Sequence, residues 1–335
     1  MGPGTFIISL DFELFWGVRD AVTLGAYGAN VLGVRHAIPA LLETFEQHRI
    51  AATWATVGFL FFRSKADLMA HLPEERPVYD VSSLSPYPAI DGIGLDEEAD
   101  PYHFGRSLLE QIRKVPLQEI GSHTFSHYYA LERGQTAETF RHDLRSAVRA
   151  GKHLGVDVRS LVFPRNQYNQ TYVGICRELG FTSYRGNERS WIYRERRGDE
   201  ELLWNRGVRL LDSYVNMSGH HTFRLADVAR SGPPFNLPAS RFLRPWSHRL
   251  RMFEEPRLRR IERALTYAAR HGEAFHLWWH PHNFGVNLTK NLANLKRILS
   301  HFDRLRDEYG MQSASMGEVA NRLLRKHPSQ VEVYA

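Results

Sequence analysis

The sequence predicts an α/β fold whose parallel strands are arranged as a barrel. Three observations carry that expectation. Short apolar runs rich in β-formers recur along the chain, most of them lead into a segment with helical apolar spacing, and polar clusters stand at the C-terminal ends of the runs. In α/β barrels that end is the active face. The 335 residues suit one large catalytic domain spanning 1–335, because barrels of roughly 200 to 400 residues form single units. Loop excursions are expected around 58–116 and 186–256, where Pro, Gly and charged residues interrupt the pattern.

Thr5–Leu10 reads as a buried strand that ends in Asp11-Phe12-Glu13. If Phe12 points one way, strand alternation puts both acids on the other side. Apolar positions Ile38, Leu41, Leu42 and Phe45 recur at helical spacing before a second strand at Ile50–Val57, which makes a strand, helix, strand unit. Leu117–Ser122 is the next strand. It delivers His123 and His127, four positions apart, which share a face if the segment is helical or tightly turned. A helix is expected over Ala137–Leu154 with Thr136 as its cap, then a strand at Leu161–Phe163 ending in Pro164-Arg165-Asn166. A helix over Tyr172–Leu179 is stopped by Gly180, and Phe181–Tyr184 leads into Arg185. Residues 188–256 give no clean pattern; they hold Asp212, the His220-His221 doublet and an arginine-rich run from Arg241 to Arg260. Such a run reads first as a solvated helix face and second as a polyanion site. The last strand, Ala274–Trp279, ends in His280-Pro281-His282, and helices follow over Leu288–Tyr309 and Met316–Leu324.

Composition narrows the class. Hydrophobic residues at 43% and charged residues at 24% exclude a disordered or fibrous chain. A net charge of +6 favours anionic partners, including a phosphate-linked substrate or peripheral contact with a membrane surface. No nucleic-acid motif accompanies the charge, so nucleic acid is not expected as a partner. Cys176 stands alone, which excludes an intramolecular disulfide framework and fits a reducing compartment. No basic region precedes the first apolar run, and no run reaches the roughly 18 apolar residues of a membrane span. The expected location is cytoplasmic.

The strand ends thus supply a carboxylate pair, a histidine pair, an arginine and further histidines, an inventory suited to hydrolysis at a metal ion. One acid with two histidines can hold the ion, a second acid can serve as base, an arginine can keep that base ionised, and a late histidine can protonate a leaving group.

In these residues the chain resembles the polysaccharide deacetylases with a NodB homology domain, carbohydrate esterase family 4. The motifs are Ser-Leu-Asp11-Phe-Glu13, Ser-His123-Thr-Phe-Ser-His127, Phe-Pro164-Arg165-Asn-Gln and Leu-Trp-Trp-His280-Pro-His282, in the family's order. The resemblance implies a distorted, incomplete (β/α)7-type barrel. It also implies metal-dependent removal of an acetyl or formyl group from an amino sugar of a bacterial surface polysaccharide, or from its lipid- or nucleotide-linked precursor. On this resemblance Asp11 is the base, Glu13, His123 and His127 are the ligands of one divalent ion, Arg165 flanks the base, and His280 is the acid. Zinc is the first expectation for the ion, with cobalt, nickel or manganese as alternatives. Trp16, Tyr128, Asn166 and His282 are the substrate-binding candidates; core packing competes for the aromatic ones.

Two departures from the family pattern leave alternatives open. Phe12 separates two acids that are usually adjacent, and Pro164 precedes an arginine that usually comes first, so Arg185 competes with Arg165 and His282 with His280. Two other functions share the inventory: a metal-independent, allantoinase-like amide hydrolase on the same barrel, and a catalytically silent protein that binds glycans or polyanions. The oligomeric state is left open.

Overall fold

The computed structural model describes residues 2–188 and 218–326. Asp212 lies outside them. Among the described residues nine strands form one sheet in which every strand pairing is parallel. They are β1 (Thr5–Phe12), β2 (Ala52–Thr56), β3 (Gln118–Ser122), β4 (Ser160–Val162), β5 (Ser183–Arg185), β6 (Phe235–Asn236), β7 (Arg241–Phe242), β8 (Ala274–Trp279) and β9 (Gln312–Ala314). The spatial order is β6-β5-β4-β3-β2-β1-β8-β7. β9 pairs with Thr5–Ile7 of β1, the stretch left free by β2, which pairs from Ile8 onward. The expected incomplete α/β barrel is the observed fold.

The central strand β1 is buried along its whole length, as expected of a parallel strand covered on both faces. Its apolar residues join those of β2 and β8 and of the surrounding helices in the main core. The helices are α1 (Leu24–Leu32), α2 (Val34–Gln47), α3 (Lys65–Ala70), α4 (Arg106–Lys114), α5 (Ala137–Leu154), α6 (Gln170–Glu178), α7 (Leu225–Ala229), α8 (Glu254–His271), α9 (Leu288–Tyr309) and α10 (Met316–Lys326). The expected cap of α5 is present, with the Thr136 hydroxyl accepting from the Thr139 N–H. No helix among the described residues is long and apolar enough to cross a membrane.

Register puts the strand ends in one layer. Asp11 is level with Ala55, Phe12 with Thr56, Thr56 with Ser122, and Val162 with Arg185, while Leu10 stands beside Trp279. Asp11, His123, Arg185 and His280 therefore emerge at the same rim.

Sequence pattern did not find α1, α3, α4, α7, α8, β6, β7 or β9. The three strands have two or three residues each, too few for a period of two to register. They matter to the architecture. Phe235, Leu237 and Ala239 donate N–H groups to the carbonyls of Thr182, Tyr184 and Gly186, and Ser240 and Leu243 donate to those of His276 and Trp278. One stretch, 235–243, thus spans between β5 and β8. The arginine-rich run is not a uniform solvated face either: Arg241, Arg257 and Arg260 are buried.

Candidate metal centre

Glu13 follows β1 and has its carboxylate against the two histidines. Its Oε2 is 3.2 Å from His123 Nε2 and 3.2 Å from His127 Nε2. All three side chains are buried, with one ligand atom from each within 4.8 Å of the others. Their position depends on Gly17, where a Cβ would lie 1.9 Å from Glu13 Cδ.

The His123-to-His127 segment is tightly turned rather than helical. Thr124 (φ 63°) and His127 (φ 57°) adopt left-handed backbone, which costs roughly 1–2 kcal/mol per non-glycine residue. Asp143 on α5 offsets that cost: it accepts the Phe125 N–H at 2.7 Å, the Ser126 N–H at 3.1 Å and the Ser126 hydroxyl. Burial raises the Asp143 pKa to about 7 against the pull of those donors. The sequence signal for Asp143 was an acid inside the apolar stripe of α5, which carries Phe140, Leu144 and Ala147 on the same buried side.

Hydrogen bonding fixes the chemistry of the His123 ring. Its Nδ1 stands 2.8 Å from the Val162 carbonyl, an acceptor only, so Nδ1 carries the proton and a neutral ring turns its Nε2 lone pair toward Glu13. Burial lowers the His127 pKa, with Glu13 opposing, so the neutral ring is favoured there. Burial also works to raise the Glu13 pKa, yet His280, His123 and His127 hold it well below the usual carboxylate range. Two imidazoles and an ionised carboxylate converging on one point call for a cation between them. Zinc bonds of about 2.0–2.1 Å in a tetrahedral set separate neighbouring ligand atoms by about 3.3 Å, close to the observed 3.2 Å. The donor set fits a divalent metal ion.

Asp11 lies beside this cluster. Arg185 donates from Nη1 to Asp11 Oδ1 and from Nη2 to Oδ2, each at 2.7 Å, a bidentate pair with no solvent exposure at the arginine. Burial acts to raise the Asp11 pKa, but Arg185 foremost, with His123 and His280, brings it below the ordinary value. Arg185 also donates to Ser9 Oγ at 3.0 Å and Asn166 Oδ1 at 3.1 Å, and its guanidinium stands 4.1 Å from the Trp278 ring centroid. Ser9 Oγ is 2.9 Å from His276 Nε2, while His276 Nδ1 faces the Leu237 carbonyl at 3.1 Å. Burial, reinforced by Arg185, lowers the His276 pKa to about 3. A neutral ring, a hydroxyl donating to it and an arginine donating to that hydroxyl form one consistent chain. His276 escaped the sequence reading because a lone histidine in an apolar strand carries no spacing signal.

Arg165, expected beside the base, is elsewhere. It pairs with Asp20 and with Glu132 at 3.3 Å and lies over the Tyr129 ring. The left-handed backbone at Arg165 and Asn166 puts the amide of Asn166, rather than Arg165, at the Asp11 pair. Arg185, the alternative, takes the flanking place.

His280 Nε2 is 3.7 Å from both Asp11 Oδ2 and Glu13 Oε1, and its side chain is 23% exposed against 4% for His282. His282 stacks on it at 4.8 Å and has Nδ1 3.8 Å from Glu13 Oε1. Burial and the His280 charge lower the His282 pKa to about 3. His280 is the more open of the two. Close packing seats their loop: a Cβ on Gly285 would meet the Asn30 carbonyl oxygen at 1.9 Å, and one on Gly33 would meet that of Gly285 at 2.0 Å.

The two aromatic candidates are core residues. Trp16 is fully buried, donates from its indole N–H to the His103 carbonyl at 2.8 Å and packs edge-on against Phe59. Tyr128 is 1% exposed, with its hydroxyl among Gln135, Thr136 and Thr139. Neither shows a free ring face to a sugar.

Comparison with known proteins addresses the family. The polysaccharide deacetylase family model matches residues 30–184, a span that contains both histidines and the Asp143 brace. Over that span the chain is similar to the polysaccharide deacetylase family. No curated protein matches the chain. Among solved structures, a putative polysaccharide deacetylase from Mycobacterium smegmatis is 14% identical, with a TM-score of 0.58 over 97% of this chain and 94% of its own. A probable polysaccharide deacetylase from Pseudomonas aeruginosa PAO1 is 12% identical, with a TM-score of 0.54 over 97% and 91%. Puue Allantoinase is 11% identical, with a TM-score of 0.53 over 97% and 90%. At such identities these likenesses speak for the fold alone. Asp11, Glu13, Arg185 and His280 lie outside the matched span.

Proposed function

We propose that the protein is a single-domain, metal-dependent hydrolase that removes an acetyl or formyl group from an amino sugar of a bacterial surface polysaccharide or of its lipid- or nucleotide-linked precursor. The observation that carries this reading is the convergence of Glu13, His123 and His127 beside an arginine-paired Asp11. These three side chains hold the divalent ion, with zinc favoured by the nitrogen-rich donor set. When bound there, such an ion would supply Lewis acidity toward the amide carbonyl and would lower the pKa of water toward about 7.

The chain's own groups then divide the proton work. Arg185 keeps Asp11 ionised and oriented, and Asp11 Oδ2, with a lone pair to spare beyond its bond to Nη2, takes the proton of the attacking water. His280 Nε2 gives a proton to the leaving amine nitrogen, and its greater exposure suits it to meet the substrate. His282 orients the His280 ring by stacking. Asn166 helps hold Arg185. A cytoplasmic location points to the linked precursor rather than the finished polymer.

The test combines metal analysis of the purified protein with an acetate-release screen over acetylated sugar precursors. Stoichiometric metal with release abolished in Glu13→Ala supports the reading. Release from a metal-free enzyme would point to allantoinase-like chemistry. Glycan binding without release from any substrate would point to a silent binding protein.

A further inference from the structure

A second concavity runs along helix α8, beside α9. Helix α8 ends at Gly272 just before β8 begins, whereas His280 follows the strand's last residue. Six residues of strand at about 3.3 Å each set the last turn of α8 roughly 20 Å from the candidate metal centre. From that turn a cavity of about 410 Å³ extends back along α8 to Arg259, lined by Arg259, Arg263, Arg270, His220, Tyr267 and His271 among others.

The lining has more cationic groups than carboxylates to meet them. Glu262 is the one acid among the described lining residues, and Arg297 already engages both of its oxygens at 2.7 and 3.1 Å. Arg259 binds Glu255, which Arg297 also shares. Arg270 donates to the Tyr309 phenol, with Glu308 near by. Arg263 has no hydrogen-bond or ion-pair partner among the described residues. One wall is flat: the Tyr267 ring stacks on His271 at 3.9 Å and lies 5.0 Å from His220 at a 30° tilt. Burial, followed by Arg260, Arg241 and Arg263, lowers the His220 pKa, which reflects the positive field at this spot.

We propose that this cavity binds the phosphate group of a phosphate-bearing ligand at a site separate from the metal centre. Guanidinium groups present planar, paired donors that match phosphate oxygens, and a dianion can use several of them where a single carboxylate cannot. The flat Tyr267 wall accommodates the organic part carrying the phosphate. The site does not depend on the deacetylase reading, since no group in the cavity belongs to that centre.

The experiment uses the full chain and inorganic pyrophosphate, titrated by calorimetry at low and high salt, alongside sedimentation with vesicles of phosphatidylcholine with and without phosphatidic acid. Saturable one-to-one pyrophosphate binding that weakens with salt, and weakens by about 10- to 100-fold in Arg263→Ala, assigns a soluble phosphate ester; the magnitude is that of a lost charged hydrogen bond. Binding confined to the phosphatidic acid vesicles and lost in the same variant assigns a lipid headgroup. Circular dichroism and metal content unchanged in Arg263→Ala show that the variant is folded. Absence of binding to both probes, or binding equal to the parent's in both Arg263→Ala and the Arg259→Ala/Arg263→Ala double variant, overturns the proposal.

Discussion

Arg185 meets Asp11 edge to edge, with Nη1 and Nη2 each 2.7 Å from a different carboxylate oxygen. Both side chains are almost fully buried, and among the described residues each is the other's only opposite charge within salt-bridge distance apart from the histidines around Asp11. Removing one partner leaves the other buried and unpaired, at a cost of about 3–5 kcal/mol. Arg185→Ala is expected to lower stability by that order in urea unfolding and to abolish turnover. Arg185→Lys keeps the charge but loses the fork, and should recover stability more than activity. Arg165→Ala removes a pair with Asp20 and Glu132 and should leave turnover within a few-fold of the parent. Equal loss in Arg165→Ala and Arg185→Ala would count against this division of roles.

Gly17 sets the position of Glu13. An added methyl group would start 1.9 Å from the Glu13 carboxyl carbon, well inside any van der Waals contact. Gly17→Ala is therefore expected to displace Glu13 and weaken metal affinity by about 10- to 100-fold, the effect typical of losing a group that orients a ligand. Competition with a chromogenic chelator measures it, and an unchanged far-ultraviolet circular dichroism spectrum separates it from misfolding.

Ion binding should also stabilise the fold. At an ion concentration 1,000 times the dissociation constant, mass action adds about 4 kcal/mol. Chelation should lower the Tm of the parent protein. Glu13→Ala and His127→Ala should purify without stoichiometric metal, melt at the same temperature with or without chelator, and release no acetate.

Acid should destabilise the protein through its buried rings. His276 and His282 have pKa values of about 3 in the folded protein against 6.5 when unfolded. Between those values the unfolded chain binds more protons, so stability falls as pH drops from about 6.5 toward 3. The lowered pKa values of Asp11 and Glu13 act in the same direction below the ordinary carboxylate range. Asp143, raised to about 7, acts oppositely between about 3.8 and 7. A variant comparison isolates one ring: His276→Gln should be less stable at neutral pH yet show a slope of stability against pH reduced by about one proton. An unchanged slope would show that His276 is not held neutral.

The cluster of Glu13, His123 and His127 was legible in the sequence because its members fall at strand ends in a fixed order, and strand ends are where hydrophobic pattern changes most sharply. Asp11, Glu13, His123, His127 and His280 all meet at the rim. Choosing between Arg165 and Arg185 was a different problem. Arg165 follows its strand more visibly, but left-handed backbone at Arg165 and Asn166 aims the chain differently from a simple strand exit. Trp16 and Tyr128 misled for a related reason: an aromatic residue after a polar cluster reads as a loop residue until helices and neighbouring rings bury it. Ser9 and His276 act through contacts with residues distant in sequence, which periodicity cannot register, whereas Asp143 left a trace as an acid inside the apolar stripe of α5.

The short terminal strands β6 and β7 have a consequence beyond spanning the barrel's gap. Long unpaired strand edges invite addition of a strand from another molecule, and brief ones offer little to copy. Each end of this sheet is only two residues long, and both belong to one stretch of backbone tied to β5 and β8. The incomplete barrel therefore leaves its ends poor templates for self-association, and an opening in the fold is not an opening to aggregation.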